Sequence, residues 1–409
     1  MQLLVKPMPI TEVVSLDVWI QVGAAHEPDH LLGMTHFLEH MIFKGTDSIP
    51  VGHLDRLVEE CGGVMNAATS QDYTHFYITT TRQELTKILP LFAEMILAAG
   101  IPEQEFDREQ RVVLEEVRRA ADSPDHGLYE HLLRHLFPNH PYGRSVLGSL
   151  TSVLAISPRE MRDYHRTGYR PSHTTVSIAG GITVDQAWQA VNDAFGHFRD
   201  PASTPSPPPD TAPLNWRPQR QQISHPRAES TRLYLAWRTV GTDHWQDAAR
   251  LEALAMILGG GRTSRLVKRL REDLGWVRGI GCASPTQKAG GFFSVTAHLE
   301  PTYLERVEVV IQEEIAEVIE HGVTEQELQR VQRTLRHDLI FSAESPQQLA
   351  SIFGFYHAMG GVDLLSHYWD AIASLTPTDI SHLAARYLAP ESLVTVLLPE
   401  PVAVLPSAS

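Results

Sequence analysis

The segment His-Phe-Leu-Glu-His at residues 36–40 carries the clearest chemical signal in the sequence. In an α-helix, residues four apart lie about one turn apart, so His36 and His40 leave the same face. That spacing suits two zinc ligands on one helix. Glu39 lies roughly 60° back from His36, where its carboxylate can hydrogen-bond a water molecule and act as a general base. The segment therefore predicts the core of a catalytic zinc site.

Other histidine pairs lack part of this pattern. His131 and His135 have the same spacing, but Arg134 occupies the position of the base. A further pair, His26 and His30, flanks a proline, which interrupts a helix. For the first motif, two structural histidines on an otherwise apolar helix are the competing interpretation.

A third ligand is expected because a catalytic zinc normally takes three protein ligands and leaves one position open. The predicted helix 105–120 offers Glu109 and Glu116, whose spacing of about two turns places them on one face. Glu116 is the candidate ligand, and Glu109 can hydrogen-bond a metal ligand or substrate. The alternative is a solvated charged face with pairs such as Glu115 and Arg119.

The elements that must position these residues alternate between β-rich apolar runs and long helical patterns. Strands are predicted at 13–23, 73–80, 174–180, 231–241 and 292–299. Helices are predicted at about 31–44, 50–61, 83–99, 102–121, 246–258, 302–320 and 324–341. Because few minimal strand–helix–strand units occur, the expected fold class is α+β, with mainly antiparallel sheets covered on one face by helices.

Segment 201–218 contains seven prolines and divides the chain of 409 residues. Such a run is stiff and extended, so we interpret it as an interdomain linker. The predicted domains are residues 1–200, with the zinc site, and residues 219–409.

The two halves are related to each other. Residues 101–124 and 323–346 share nine of 24 positions without gaps, and 36–45 falls on 251–260, helix on helix. The second copy lacks the metal residues, since the five positions hold Leu251, Leu254, Ala255, Val331 and Asp338. Charges that only support a scaffold should recur in both copies, so this asymmetry favours a functional site in the first half.

Composition excludes several classes of protein. A net charge of −15 and a pI near 5.7 argue against nucleic-acid binding. The simpler interpretation is that the charge keeps the protein in solution. Two cysteines, Cys61 and Cys282, give neither a disulfide framework nor a C-x-x-C metal motif. The sequence contains no apolar run long enough for a membrane span, and Pro7 and Pro9 interrupt any secretory leader. We therefore expect a cytoplasmic protein, with a processed precursor as the alternative.

Five motifs together resemble the M16 (pitrilysin or insulinase) metallopeptidases, and by length their short two-domain bacterial branch. The motifs are 33-GMTHFLEHMIFKGT-46, 62-GGVMNAATSQDYTHFY-77, 109-EQRVVLEEVRRAADSP-124, 140-HPYGRSVLG-148 and 259-GGGRTSRLVKRLREDLGW-276. The resemblance covers nearly the full chain and includes the spacing of 76 residues from His40 to Glu116. It implies two homologous domains with a LuxS- or processing-peptidase-like fold.

The resemblance implies a Zn²⁺ cofactor with His36, His40 and Glu116 as its ligands. Glu39 is then the general base, and Glu109 assists it. With these roles the chain is an endopeptidase that cleaves unfolded peptides or small proteins.

The resemblance also implies how a peptide is bound. Asn66 and Ala67 match the family's pair at a strand edge, where a substrate adds as an extra β-strand. In the second half, Arg271 matches the arginine of the family's Arg/Tyr pair, but Arg278 stands at the tyrosine position. This departure implies the metal-bearing subunit of a heterodimer whose partner supplies the pair; a homodimer using Arg271 alone is the alternative.

Two other functions are considered beside the peptidase. A non-catalytic assembly subunit predicts eroded metal ligands, whereas the ligand, base and assisting positions are all intact here. The second alternative is a zinc hydrolase that acts on a substrate other than peptides. The strand edge at Asn66 and Ala67 argues against it, because such an edge favours peptides.

Overall fold

The computed structural model describes residues 1–200, 217–388 and 391–400. Most of the predicted linker, residues 201–216, lies outside this range. The described residues form two compact units, each with its own sheet. The first comprises Met1–Arg119, 139–200 and His337–Ser366, and the second comprises 120–138, 217–336, 367–388 and 391–400.

The first unit is built on a mixed five-stranded sheet. Its strands are β1 (Gln2–Pro7), β2 (Val13–Ile20), β3 (Val64–Thr69), β4 (Thr74–Thr81) and β5 (Thr174–Gly180). They are ordered β1-β5-β2-β4-β3, with β1 and β5 parallel and the other neighbours antiparallel. Strand β3 is therefore an edge strand.

The second unit repeats this arrangement. Its strands are β6 (Gln219–His225), β7 (Thr231–Thr239), β8 (Val277–Ala283), β9 (Thr286–Gln287), β10 (Gly290–Leu299) and β11 (Leu393–Pro399). The order β6-β11-β7-β10-β8 follows the first sheet strand for strand, including the parallel pair at one end, and the short β9 pairs with β10. The predicted α+β duplication is confirmed.

Helices from both parts of the chain pack on these sheets. Those before the linker are α1 (Met34–Ile42), α2 (His53–Glu60), α3 (Arg82–Leu97), α4 (Glu103–Ala121), α5 (Pro124–Leu136), α6 (Leu150–Ala155), α7 (Pro158–Gly168) and α8 (Val184–Phe195). Those after it are α9 (Trp245–Gly259), α10 (Leu304–His321), α11 (Glu325–Phe341), α12 (Pro346–Met359), α13 (Asp363–Ala373) and α14 (Pro377–Tyr387). Within the described residues, no helix combines the length and apolar character that a membrane crossing requires.

The main core of the first unit lies on one face of its sheet. Alternate residues of β2, among them Leu16 and Val18, pack with the apolar sides of α1 and α3. Because side chains alternate along a strand, Ser15, Asp17 and Trp19 face the other side, and they are buried as well.

Helix α12, from the later part of the chain, covers that second face. Ser351 donates a hydrogen bond to Asp17 (2.8 Å), and Gly354 lies directly against the indole of Trp19. Correspondingly, α5 from the early part packs Leu128 against Leu397 of β11 in the second unit. The expectation of helices on one face only is therefore incomplete, and the units differ from the predicted halves by this exchange of helices.

The contact between α12 and β2 makes a prediction about Gly354. A Cβ atom there would lie 2.1 Å from Trp19 Nε1, so Gly354→Ala must displace a buried indole. We expect a loss of about 1–3 kcal/mol in the free energy of unfolding, measured in urea.

Gly127 provides the matched control on the other exchanged helix, α5. An added Cβ meets nothing within 4 Å there, so Gly127→Ala should be neutral or stabilise by up to about 1 kcal/mol. Equal stability of the two variants would contradict close packing of α12 on β2.

Candidate metal centre

The helix that carries the motif is held by its apolar side. Helix α1 begins at Met34, after Gly33, whose left-handed backbone (φ 89°) provides no side-chain cap. The apolar residues of α1 are fully buried in the core of the first unit: Met34, Phe37, Leu38, Met41 and Ile42. The remaining face presents both histidines toward α4.

The structure brings the three predicted ligands together. His36 Nε2 lies 3.7 Å from Glu116 Oε2, and His40 Nε2 lies 3.5 Å from the same oxygen. The three ligand atoms lie within 4.8 Å of one another. A tetrahedral zinc with bonds of about 2.0–2.1 Å separates its ligand atoms by roughly 3.4 Å, so two imidazoles and one carboxylate in this arrangement fit the ion.

His36 is kept in the form that binds metal. Burial, and secondarily the charge of His40, lower the pKa of His36 to about 4. The imidazole is therefore neutral near pH 7 and offers a lone pair, as zinc coordination requires.

His40 is oriented from behind by a carboxylate. Its Nδ1 lies 2.9 Å from Glu109 Oε1, and Lys44 Nζ lies 2.8 Å from Glu109 Oε2. Burial alone would lower the pKa of His40, but the hydrogen bond and charge of Glu109 outweigh it, so this pKa is raised. Burial would likewise raise the pKa of Glu109, but the hydrogen bonds from His40 and Lys44 lower it. Such a carboxylate fixes the ring and increases its basicity as a ligand.

Glu39 stands beside the ligands with a different partner. Thr69, the last residue of β3, donates a hydrogen bond to Glu39 Oε2 at 2.5 Å. Burial raises the pKa of Glu39, although this hydrogen bond opposes the shift. A carboxylate whose pKa is raised is a stronger base at neutral pH than an exposed one.

The predicted peptide-binding pair lies on the edge strand. Asn66 is exposed and Ala67 half-buried in β3, which pairs with β4 on one side only among the described residues. A cavity of about 320 Å³ lies between this strand and α2, and its lining includes Phe43, Asp55 and Glu59. At this edge the backbone N–H of Ala67 donates to Asn66 Oδ1 (2.9 Å), and a recess adjoins the strand.

The predicted residues of the second unit have local acidic partners. Arg271, in the short π-helical segment Val267–Asp273, donates to Glu272 Oε1 at 2.6 Å, and Arg278 of β8 forms an ion pair with Glu300. At the positions equivalent to the metal residues, this unit packs apolar side chains: Leu251, Leu254, Ala255 and Val331 are all buried.

Sequence reasoning missed three residues that support the site: Lys44, Thr69 and Glu27. Glu27 is almost fully buried before α1, and its carboxylate accepts hydrogen bonds from the backbone of Gly33 and Thr35. Burial raises the pKa of Glu27 to about 7. An acidic residue shortly before a helix is the signal that could have identified it.

Comparison with known families decides the affiliation of the chain. Residues 3–150 match the model for insulinase (peptidase family M16), and residues 155–335 match the model for the peptidase M16 inactive domain. The chain belongs to the M16 family. The candidate metal residues lie within the first match, and the second covers most of the repeat that lacks them.

Full-length relatives of this M16 protein are named as proteases. An uncharacterized zinc protease of Mycobacterium leprae is 29% identical over 95% of this chain and 87% of its own length. Zinc protease PqqE of Helicobacter pylori is 26% identical over 95% of this chain and 88% of its own.

Solved structures agree on the fold. A protease from Helicobacter pylori superposes with a TM-score of 0.92 at 25% identity, covering 97% of both chains. Pitrilysin superposes with a TM-score of 0.80 at 18% identity; the match covers 97% of this chain but 44% of pitrilysin. The fold of this M16 chain thus corresponds to less than half of that longer protein.

The ligand geometry makes a prediction about metal affinity. Glu116→Gln replaces a negatively charged candidate ligand with a neutral amide. Glu109→Gln removes the charged acceptor that orients His40. We expect Glu109→Gln to weaken zinc binding about 10–100-fold and Glu116→Gln at least as much, measured by competition with a chromophoric chelator.

Glu115 is the matched control, because it is exposed on the same helix and pairs with Arg118. Glu115→Gln should leave zinc affinity within about twofold of the wild-type value, as expected for an exposed ion pair. If Glu116→Gln leaves the zinc affinity unchanged, Glu116 is not the third ligand.

The raised pKa of Glu27 makes a prediction about stability and pH. In the unfolded chain this carboxyl titrates near 4.5, and in the native state near 7, so the native state binds its proton more tightly. The stabilisation is complete below pH 4.5 and is lost as pH rises through about 7. Relative to Glu27→Gln, the wild type should lose on the order of 2 kcal/mol of unfolding free energy between pH 5 and 7.5, measured in urea.

Glu160→Gln is the control for this measurement. The hydrogen bond from Ser157 lowers the pKa of Glu160, so its contribution is lost only on acidification below the ordinary value. Its difference from the wild type should stay constant between pH 5 and 7.5. If the difference in unfolding free energy between the wild type and Glu27→Gln also stays constant between pH 5 and 7.5, the pKa of Glu27 is not raised.

Proposed function

We propose that the protein is a zinc-dependent endopeptidase that cleaves unfolded peptides or small proteins. The observation that carries this proposal is the position of Glu39: it stands beside the cluster of His36, His40 and Glu116, and it is hydrogen-bonded to the end of the edge strand β3. The candidate ligands, the candidate base and the edge strand lie together, which supports this proposal. The naming of full-length relatives as zinc proteases supports the same function.

His36 and His40, through their Nε2 atoms, and the Glu116 carboxylate would hold the zinc ion. Bound there, zinc supplies Lewis-acid chemistry, polarising the scissile carbonyl and lowering the pKa of a water molecule. Glu39 accepts the proton of the attacking water and delivers it to the nitrogen of the leaving amine. Lys44 and Glu109 keep the His40 ring in its tautomer and orientation throughout.

A substrate peptide adds to β3 as a further strand. Its backbone pairs with the free edge at Asn66 and Ala67, and it runs toward Thr69, which contacts Glu39. Recognition of main-chain groups tolerates many side chains but requires an extended segment. This accounts for a preference for unfolded chains.

Dimerisation completes the enzyme in this proposal. Pitrilysin is more than twice as long as the matched region, which supports a second copy or a related partner in place of its remaining domains. Because Arg271 and Arg278 are paired with Glu272 and Glu300, a heterodimer partner supplies the Arg/Tyr pair. A homodimer that uses Arg271 alone is the competing arrangement.

A non-catalytic assembly subunit is the alternative function. It draws on the family description of residues 155–335 as an inactive domain. That match covers the repeat without metal residues and leaves the zinc cluster of the first unit unexplained.

Glu39→Gln tests the peptidase. The purified, zinc-loaded chain should cleave a quenched, unstructured peptide of about 10–20 residues, and the variant should retain zinc while losing at least about 100-fold in rate. Zinc content is measured in the same samples, so that a loss of metal is not mistaken for a loss of the base.

The other outcomes separate the remaining possibilities. If Glu39→Gln still cleaves the peptide, Glu39 is not the general base. If the wild type binds zinc but does not cleave the peptide, the result favours an obligate partner with the missing tyrosine. If it neither binds zinc nor cleaves the peptide, the result favours the assembly subunit. Cleavage of small esters but not of peptides favours a hydrolase of another substrate class.

A further inference from the structure

Segment 140–148 is a sequence motif to which the metal chemistry assigns no role. It contacts two other segments of the first unit through Arg144 and Tyr142. Arg144 Nη1 donates to the backbone oxygen of Glu27 (3.1 Å), and its Nη2 forms an ion pair with the exposed Asp29. An exposed ion pair contributes little, so the contact with the Glu27 carbonyl is the informative one.

Glu27 holds the beginning of the metal-binding helix. Its Oε2 accepts from Gly33 N (2.8 Å) and its Oε1 accepts from Thr35 N (2.6 Å). Because Gly33 has no side chain to cap α1, this carboxylate satisfies backbone donors that would otherwise be buried without partners. Thr35 directly precedes His36, so the position of Glu27 fixes the turn from which that ligand projects.

The backbones of the two segments also touch directly. A Cβ on Gly33 would lie 2.6 Å from the Leu147 oxygen, and one on Gly148 would lie 2.4 Å from the Leu32 oxygen. Both glycines have positive φ angles, 89° and 71°. Only glycines permit this approach, so residues 147–148 form the surface against which the start of α1 rests.

The other end of the segment reaches the hairpin turn after β3. Tyr142 OH donates to Asp72 at 2.7 Å, and both residues are buried. Asp72 lies in the turn that begins just after Thr69, the hydrogen-bond donor to Glu39. One short segment therefore contacts both the approach to the ligand helix and the turn next to the base.

We propose that segment 140–148 is a brace that sets the metal-binding helix α1 relative to the end of β3. Arg144 acts through Glu27 on the ligands of α1, and Tyr142 acts through Asp72 on the strand end that holds Glu39. The contacts of Arg144 and Tyr142 described above reach Glu27 and Asp72, so we assign these two as positioning residues. The inference rests on the proposed metal site but not on the reaction, and metal binding tests it separately from peptidase activity.

The first test measures zinc affinity of the full chain at pH 8 for Arg144→Met. We expect about tenfold weaker binding, because ligands that are no longer held in place lose pre-organisation. Cobalt(II) substituted at the site should show altered visible absorption bands, which report the ligand geometry directly.

Arg162→Met is the matched control. Arg162 also donates to a backbone carbonyl, that of Ile101 (3.0 Å), and lies near an exposed carboxylate, Glu103. It belongs to the same unit, and its hydrogen bond and ion pair join it to Ile101 and Glu103 rather than to Glu27. We expect its zinc affinity and cobalt spectrum to equal those of the wild type, whatever its effect on unfolding.

A double-mutant cycle tests the route through Glu27. If Arg144 acts through Glu27, Arg144→Met should weaken zinc binding no further in a Glu27→Gln background. Additive losses would overturn this route. Arg144→Lys, which keeps the charge and one donor, should restore part of the affinity and serves as the measured variant if Arg144→Met does not fold.

Tyr142→Phe tests the other end. It should leave zinc affinity within about twofold of the wild type and, in the active enzyme, lower kcat with little change in KM. Tyr387→Phe, which removes a similar bond to Asp247 in the second unit, is its control. If Arg144→Met keeps the zinc affinity and the cobalt spectrum of the wild type, the proposed brace is wrong. This outcome does not depend on whether the chain cleaves a peptide.

Discussion

The contact between α1 and α4 is the constraint on which the site depends. The three candidate ligand atoms come from residues far apart in the chain, and a metal ion accepts an error of only a few tenths of an ångström in their positions. The rings of Phe37 and Phe106 pack with their centres 4.7 Å apart at this contact. Phe37 follows His36 directly and Phe106 stands less than one turn before Glu109, so their packing sets the register of the two helices. Apolar packing thus determines where the polar chemistry occurs.

The charges around this contact are paired in a way that limits the cost of burial. His40, Glu109 and Lys44 form a continuous chain of hydrogen bonds, in which each charge has an opposite neighbour. In the second unit, the positions equivalent to His40 and Glu109 hold the buried apolar residues Ala255 and Val331. The scaffold therefore forms without the metal residues, which explains why one copy of the duplication could keep them and the other lose them.

Much of this could be predicted from the sequence, because the decisive signals are local. The spacing of His36 and His40 and the shared face of Glu109 and Glu116 follow from helix geometry alone. Central strands such as β2 and β5 were predicted from their continuous apolar runs. The edge strand β3 was not found from its residue pattern, because its residues alternate between exposed and half-buried and include small side chains. Only the family resemblance implied a strand edge at Asn66 and Ala67. Lys44, Thr69 and Glu27 escaped notice because their roles depend on contacts that form only in the folded protein.

The exchange of helices was invisible in the sequence for a related reason. The pattern of β2 suggests a polar outer face at Ser15 and Asp17, the usual sign of solvent. In the structure that face is buried beneath α12, and Asp17 is satisfied by His75 and Ser351. A buried polar residue with partners from distant segments cannot be distinguished from an exposed one by periodicity.

The same exchange has a consequence for how the gene can be divided. Neither half of the coding sequence specifies a complete folding unit, since each sheet takes one covering helix from the other half. A break in the chain between the halves would leave Trp19 and Asp17 uncovered in one fragment and Leu397 in the other. Each fragment would expose side chains that the intact chain buries, so the two structurally equivalent units are not independent pieces of the sequence.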